Sequence, residues 1–445
     1  MPMKLSRRGF LSTASATLAA PAVVRAATGD VDVVVVGARS AGLAAAHTLI
    51  NAGYSVMILE AAARIGGRAH TDSTTFGMPF DRGCSWIHSS DVNPYTPYAR
   101  EYGFTLESHD GAKEAMFVGH REPTSSEWSA YDRGWRRTRE GLSDAGEEGL
   151  DVPASEVVPN GIPWSGVSQT WTGPMSMGMD FADLSPVDWW SLSTTKPNLE
   201  VKEGFGTVVA RFGADLPVTL NAPVTEIDDT GPSVRVESAA GTVSTKAVIV
   251  TVSTGVLAAE SIRFTPGLPD TTLGAIENMP MGLLAKVPLL FDGYHFGLKP
   301  NEWLAYKVPE EVPAQACYFL TWPFNTDMMI GLVGGKFGWE LSAAGPDAAV
   351  DFALGELRKI FGEKVDQHFV KGDFTNWAYD PLVRGSYASE RPGFHGARAA
   401  LAEPLDGRVY LAGEALAGKY SVTCGGAYLS GERVAGDVMA ALGTG

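Results

Sequence analysis

Cysteine is scarce in this 445-residue chain: Cys84, Cys317 and Cys424 stand far apart, with no Cys-x-x-Cys spacing and no Cys/His cluster. That pattern excludes a zinc or iron–sulfur centre, and no metal site is expected. An oxidising compartment would permit a disulfide, but the spacing selects no pairing, and buried free thiols are the expectation. Basic residues are in deficit too, 35 Lys and Arg against 51 Asp and Glu, for a formal charge of −16. Binding through phosphates needs a basic surface, so nucleic acid is excluded as a partner. An acidic surface keeps a protein soluble and, more weakly, gathers cations. Long apolar runs are missing: no stretch reaches the roughly 18 uninterrupted residues of a membrane span, so no stable membrane insertion is expected. Repeats and low-complexity linkers are also absent.

What is present is the composition of a soluble globular protein, 45% hydrophobic, 10% aromatic and 19% charged, in a chain long enough for two lobes. Residues 1–26 stand apart as a twin-arginine signal peptide. Ser6-Arg7-Arg8-Gly9-Phe10-Leu11 carries the arginine pair, a mild apolar run follows to Val24, and Val24-Arg25-Ala26 offers a small-residue cleavage site. That export route takes folded proteins, so the expected location is the periplasm. Removing the leader would take Lys4, Arg7, Arg8 and Arg25 and no acid, moving the charge from −16 to about −20.

Asp32 to Val36 is an unbroken run suited to a strand buried on both faces of a parallel sheet. It enters Gly37-Ala38-Arg39-Ser40-Ala41-Gly42 and a helical stretch from Leu43 to about Asn51, closed by Gly53; Tyr54 to Leu59 reads as the next strand, ending at Glu60. This is a βαβ unit with a Gly-rich first turn and an acid about 20 residues on, the arrangement of a dinucleotide site. Gly37 makes the tight turn, Gly42 lets helix and strand approach, and the helix N-terminus faces a pyrophosphate. Glu60 is placed to accept from a ribose hydroxyl. The middle glycine of the usual pattern is Arg39 here, whose Cβ crowds the ligand unless its guanidinium turns outward to pair with phosphate oxygens.

Leu59-Glu60-Ala61-Ala62-Ala63-Arg64-Ile65-Gly66-Gly67-Arg68 resembles the second FAD signature of the flavin amine oxidases, the family of monoamine oxidases, polyamine oxidases and flavin histone demethylases. The resemblance extends over nearly all of the chain after the leader. Gly83-Cys84-Ser85-Trp86-Ile87-His88 with Asn93-Pro94 is similar to the Trp-Ile-His…Asn-Pro segment of polyamine oxidases. Pro223-Val224-Thr225-Glu226-Ile227, Gly282 to Val287, Gly385-Ser386-Tyr387, Ala412-Gly413-Glu414 and Tyr420 to Gly431 match further family segments in order. The implied fold is α/β: a discontinuous Rossmann-like FAD-binding domain (residues 30–90, 201–264 and 372–442) plus an α+β substrate-binding domain (residues 91–200 and 265–371).

By the same resemblance Gly67, Arg68, Gly413 and Glu414 serve the cofactor and Val224 holds the adenine. Lys286 lies near flavin N5 through a water, Tyr387 forms one wall of an aromatic cage, and His88 sits at the pocket mouth. The opposite wall, tyrosine in monoamine oxidases, falls on Thr423. Ser386 stands where monoamine oxidases carry the cysteine bonded to flavin, so non-covalent FAD is expected. Ala62 replaces an arginine usual in the signature. The implied activity is oxidation of a primary or secondary amine, with a polyamine favoured, by hydride transfer to flavin N5. The products would be an imine or aldehyde and hydrogen peroxide. An L-amino-acid oxidase needs an arginine clamp after the glycine at Gly83, and none is there. A dehydrogenase passing electrons to a periplasmic acceptor rather than oxygen, and a flavin-binding protein without catalysis, stand as the other readings.

Overall fold

The computed structural model describes residues 31–158 and 161–443; the leader read at residues 1–26 lies outside the described residues. The valine run forms the strand Val31–Val36, and its period of two divides the side chains between two cores. Val33 and Val35 pack under the helices Ser40–Asn51 and Cys424–Gly443, while Val34 and Val36 join the core on the opposite face. The strand pairs in parallel with Val56–Leu59 on one side and with Gly241–Val250 on the other. The resulting eight-stranded sheet also takes in Val218–Thr219, Val224–Asp228, Val234–Ser238, Arg263–Thr265 and Val409–Leu411. Its strands therefore come from three separated stretches of chain. The first and last helices meet closely: a Cβ on Gly431 would lie 2.1 Å from the Ala41 carbonyl oxygen, so only glycine fits there.

A second sheet of six strands runs in the order Phe369–Gly372, Leu284–Phe291, Met328–Gly334, Tyr318–Thr321, Trp303–Tyr306, Glu114–Phe117, and covers the core of the second lobe. Three small sheets accompany them among the described residues: Trp86–Ile87, Leu199–Val201 and Leu106–Ser108 form one, Met281–Gly282 pairs with Tyr387–Ala388 in another, and Thr71–Asp72 pairs with Phe80–Asp81 in the third. The described residues contain no helix long and apolar enough to cross a membrane and no cluster suited to a metal ion.

The packing moves two edges of the expected division. Tyr95 and Ala99 lie in the same core as Leu43 and Phe205, under the large sheet. Ala275, Ile276 and Met279 share a core with Val224 and Val236. Residues around 95–99 and 275–279 thus belong with the dinucleotide lobe, because their apolar faces are buried there. The expected helix after the Gly-rich turn begins three residues earlier, at Ser40, and the following strand two residues later, at Val56.

Candidate functional site

The Gly-rich turn is held from three directions. Gly37, at φ +101°, donates to the Leu59 carbonyl at 2.8 Å, and a Cβ there would meet Thr251 Oγ1 at 2.7 Å. Thr251 Oγ1 in turn lies 2.9 Å and 3.0 Å from the carbonyl oxygens of Val36 and Gly37, a structural duty that its sequence context did not reveal. A Cβ on Gly42 would sit 2.0 Å from the Gly37 carbonyl oxygen, which is why helix and turn can meet. Glu60 is buried and accepts from the amides of Ala38 at 2.7 Å and Ala62 at 2.8 Å. Each of its oxygens retains a further acceptor position, so it can both fix the turn and take a hydroxyl. Val224 is buried at the start of its strand; two residues before it, the Ala222 amide donates to the Glu60 carbonyl at 2.8 Å.

Arg39 resolves the departure at the middle glycine. Its backbone is extended (φ −95°, ψ 177°), so the position does not require glycine. The side chain lies across Gly67, whose ideal Cβ would be 2.7 Å from Arg39 Cγ, and Nη2 donates to the Leu382 carbonyl. Nη1 is buried with no partner. Burial and, next, the neighbouring charge of Arg68 lower the Arg39 guanidinium to about 10. Arg68 donates to the Ser386 carbonyl and to Glu414 Oε1 at 3.1 Å. Glu414 also accepts from the Ala388 amide at 3.2 Å. Two guanidiniums held together, one with an orphaned buried N–H, beside a cleft lined by Arg68, Thr251, Gly413 and Glu414, fit the pyrophosphate of a dinucleotide. At Gly413, φ +157°, a Cβ would point into open space, leaving room for a ligand against the backbone.

Lys286 lies on the strand Leu284–Phe291 and is 5% exposed, so it is no surface lysine. Its Nζ donates to the carbonyls of Asp81 at 2.7 Å and Gly83 at 2.6 Å, and to Ser85 Oγ at 2.5 Å. It lies 5.7 Å from the Phe80 ring centre and 5.9 Å from that of Trp86. Burial pulls the ammonium down to about 8, against the opposing pull of Asp81. Two of its acceptors are carbonyls, and only the Ser85 hydroxyl can reverse its role and donate when Nζ is neutral. The lysine was legible in the sequence, its three-oxygen cradle was not. Asp81 was missed as well. Its carboxylate accepts from the amides of Phe205 at 2.8 Å and Gly206 at 3.1 Å and from Thr71 Oγ1 at 2.6 Å, tying the cradle to the helix Phe205–Phe212.

The remaining expected residues are partly committed to local structure. Tyr387 pairs with Gly282, and its hydroxyl donates to the Ser176 carbonyl at 3.0 Å; burial pushes the phenol up. Thr423 Oγ1 accepts from the Gly426 amide at 2.9 Å and donates to the Tyr420 carbonyl at 2.8 Å, so it caps the helix Cys424–Gly443. With threonine where monoamine oxidases carry the second tyrosine, and its hydroxyl engaged on the helix, the expected half-cage rests on Tyr387 alone. His88 Nδ1 lies 2.9 Å from Asn198 Oδ1, and burial lowers its pKa. Ser386 Oγ accepts from the Leu284 amide at 2.8 Å and donates to the Leu284 carbonyl at 2.7 Å; a serine there offers no thiol to flavin.

Around Lys286 stands a ring cluster only partly visible in the sequence. Trp86 stacks with His109 at 5.8 Å and contacts His88 at 6.1 Å and Trp303 at 6.0 Å, while Trp171 meets Trp303 at 5.1 Å and Tyr318 at 5.0 Å. Glu200 lies directly opposite Trp86 in the antiparallel pairing and so shares its face. It is 3% exposed, its Oε2 has no partner, and burial, then Glu107, pushes its carboxyl up to about 7. No motif announces it.

Fold and site together define a protein of the dinucleotide-binding α/β class with a buried lysine in its second lobe. The chain matches the family of flavin containing amine oxidoreductases in two overlapping segments, residues 40–154 and 105–439, and belongs to that family. It is 30% identical to probable polyamine oxidase 4 of Arabidopsis thaliana over 90% of this chain and 85% of that one. It is 25% identical to human lysine-specific histone demethylase 2 over 92% of this chain and 53% of that one. A solved putrescine oxidase bound to putrescine shares the fold, with a TM-score of 0.77 at 20% identity, over 93% of this chain and 99% of that one. The protein is thus an FAD enzyme that oxidises an amine. Family membership also sets aside the reading of a flavin-binding protein without catalysis.

Proposed function

We propose that the amine is a diamine or polyamine and that molecular oxygen reoxidises the flavin, releasing hydrogen peroxide. The observation that carries the substrate reading is the ring cluster itself. Trp86, cross-strand from Glu200 with its buried carboxyl, gathers His88, His109 and Trp303, and Trp303 meets Trp171; Lys286 is the one cation set over any of these rings among the described residues. Ring faces and a buried carboxylate attract an ammonium and repel a carboxylate, which opposes an amino-acid substrate. The name of the Arabidopsis relative points the same way.

The bound flavin supplies the hydride acceptor. The chain orients the amine and keeps water from it. Arg39 and Arg68 hold the phosphates, Gly37, Gly42, Gly67 and Gly413 admit the cofactor against the backbone, and Glu60 and Val224 serve its adenosine end. Tyr387 and the tryptophans flank the substrate, while His88, tied to Asn198, orders the entrance.

The test is an anaerobic titration of the flavin absorbance. Polyamines and diamines are expected to bleach it at lower concentration than monoamines, and amino acids not at all; admitting air should restore colour with one peroxide per turnover. Bleaching by amino acids, or by no amine, sinks the substrate reading. Slow recovery in air with fast recovery on an artificial acceptor makes the enzyme a dehydrogenase.

The periplasmic location is our reading of Arg7-Arg8 and the run after it. Replacing both arginines with lysine is expected to hold the full chain in the cytoplasmic fraction; unchanged fractionation overturns that location.

A further inference from the structure

The small sheet of Trp86–Ile87, Leu199–Val201 and Leu106–Ser108 lies between the cores of the two lobes. Its period of two sends Ile87, Leu199 and Val201 into the core under the large sheet, with Leu106 packed against it. The alternate residues share the opposite face, where Trp86 packs against the core of the second lobe. They form one row, because Glu200 stands directly opposite Trp86 on one side and directly opposite Glu107 on the other. Cβ atoms paired in this way are about 5 Å apart. The row is a poor choice for stability. Like charges opposite each other destabilise a sheet, and a buried carboxyl without a hydrogen bond is costly. The neighbouring buried acids are relieved: Glu60 by two amides, Asp81 by two amides and Thr71, Glu414 by Arg68 and the Ala388 amide. Glu200 is 3% exposed, and its Oε2 has no partner among the described residues. Lys286 attracts it through space only, since the Nζ hydrogen bonds go to Asp81, Gly83 and Ser85. Cys84, which like Cys424 is a free thiol half-buried where burial was expected, brings no positive charge.

We propose that Glu200, with Glu107 behind it, receives the second ammonium of a diamine or polyamine whose other amine reacts at the flavin, and so sets the preference over monoamines. This subsite rests on the substrate reading above. An ammonium arriving at Glu200 donates a charge-assisted hydrogen bond to Oε2 and stands beside the ring of Trp86. It also relieves the repulsion between the two carboxylates, so the cost built into the row is recovered on binding. The methyl end of a monoamine does neither, and leaves the carboxyl dry and unpaired. Glu107 is exposed and marks the solvent side of the row. Its charge is screened by salt and that of Glu200 is not, so the buried carboxylate is the specificity residue and Glu107 the weaker aid.

The test is anaerobic flavin reduction by spermidine, putrescine and butylamine in the FAD-loaded wild type and in Glu200→Gln, which keeps the shape and removes the charge. The half-saturating concentration should rise about tenfold or more for spermidine and putrescine, the worth of a charge-assisted hydrogen bond, and little for butylamine. The thermal midpoint without amine should equal or exceed that of the wild type, because a repulsion is relieved; a purely structural carboxylate would lower it. A second measurement needs no variant. Burial, then Glu107, raises Glu200 to about 7, with Lys286 opposing and Asp81 adding to the rise. Burial lowers His88 and His109, the imidazoles on Trp86, and Lys286, at about 8, keeps its charge as pH falls from there. Glu200 is therefore the group that loses its charge as pH drops through about 7, and the wild-type preference for putrescine over butylamine should fall severalfold from pH 7.5 to 6. Equal losses for all three amines in the variant, or a preference that holds down to pH 6, would overturn the subsite. A wild type that reduces as readily with butylamine as with putrescine at pH 7.5 overturns the substrate reading itself, and the subsite with it.

Discussion

Lys286→Met should slow reoxidation of the reduced flavin by oxygen about a hundredfold, the usual effect of removing one preorganised electrostatic group. Lys286 is the buried cation of the second lobe, fixed by Asp81, Gly83 and Ser85 so that its charge needs no reorganisation. Burial brings its pKa to about 8, which fixes the sign of the pH dependence. The charge is present below that value and lost above it, so the wild-type reoxidation rate should fall as pH rises through about 8. The variant should be slow and lack that limb. Methionine leaves three oxygens without a donor, at about 1–3 kcal/mol each if they remain dry, so FAD content and thermal midpoint must be measured alongside. A variant that binds FAD, is reduced by amine at an ordinary rate and reoxidises slowly fits the assignment. A wild-type rate flat across pH 7–9, or a limb that survives in the variant, refutes it.

The parts of this site legible in the sequence are those that local chain geometry builds. Gly37, Gly42 and Glu60 fall within one βαβ unit, so their spacing alone locates the turn and its acid partner. Lys286 was placed by the family segment around it, not by pattern: between Ala285 and Val287 it reads as an outward residue on a strand. What sequence left hidden is built by pairing distant, very short elements. Trp86, Glu200 and Glu107 come together through strands of two and three residues, too short to show any periodicity. Asp81 became legible only when Phe205 and Gly206 were seen to present their amides to it. The same limit applies to Thr423, whose capping role shows only once the last helix is seen to begin at Cys424. The 95–99 and 275–279 stretches were assigned to the other lobe because a discontinuous chain shows its crossings in packing, not in composition.

Arg39→Gly, which restores the glycine usual at this position, should nonetheless weaken FAD binding by tenfold or more. Two effects oppose each other. Removing the side chain frees space beside the backbone, which favours the ligand, yet the backbone at Arg39 is extended and unstrained, so glycine relieves nothing there. Against that stands one charge-assisted hydrogen bond, worth about 1.5–3 kcal/mol, or roughly tenfold to a hundredfold in affinity. Nη1 is buried without a partner and lies near another guanidinium, a pairing that favours an anion between them. At about 10 the Arg39 guanidinium is still charged at neutral pH. Arg39→Met separates the two contributions, because it keeps the stem over Gly67 and removes only the charged head. If the arginine binds phosphate, both variants lose affinity in a fluorescence titration of apoprotein with FAD, and the wild-type affinity falls more steeply with salt than either variant's. If it is only tolerated, Arg39→Gly binds FAD as tightly as the wild type or more so, and the second guanidinium would then have no part in holding the cofactor.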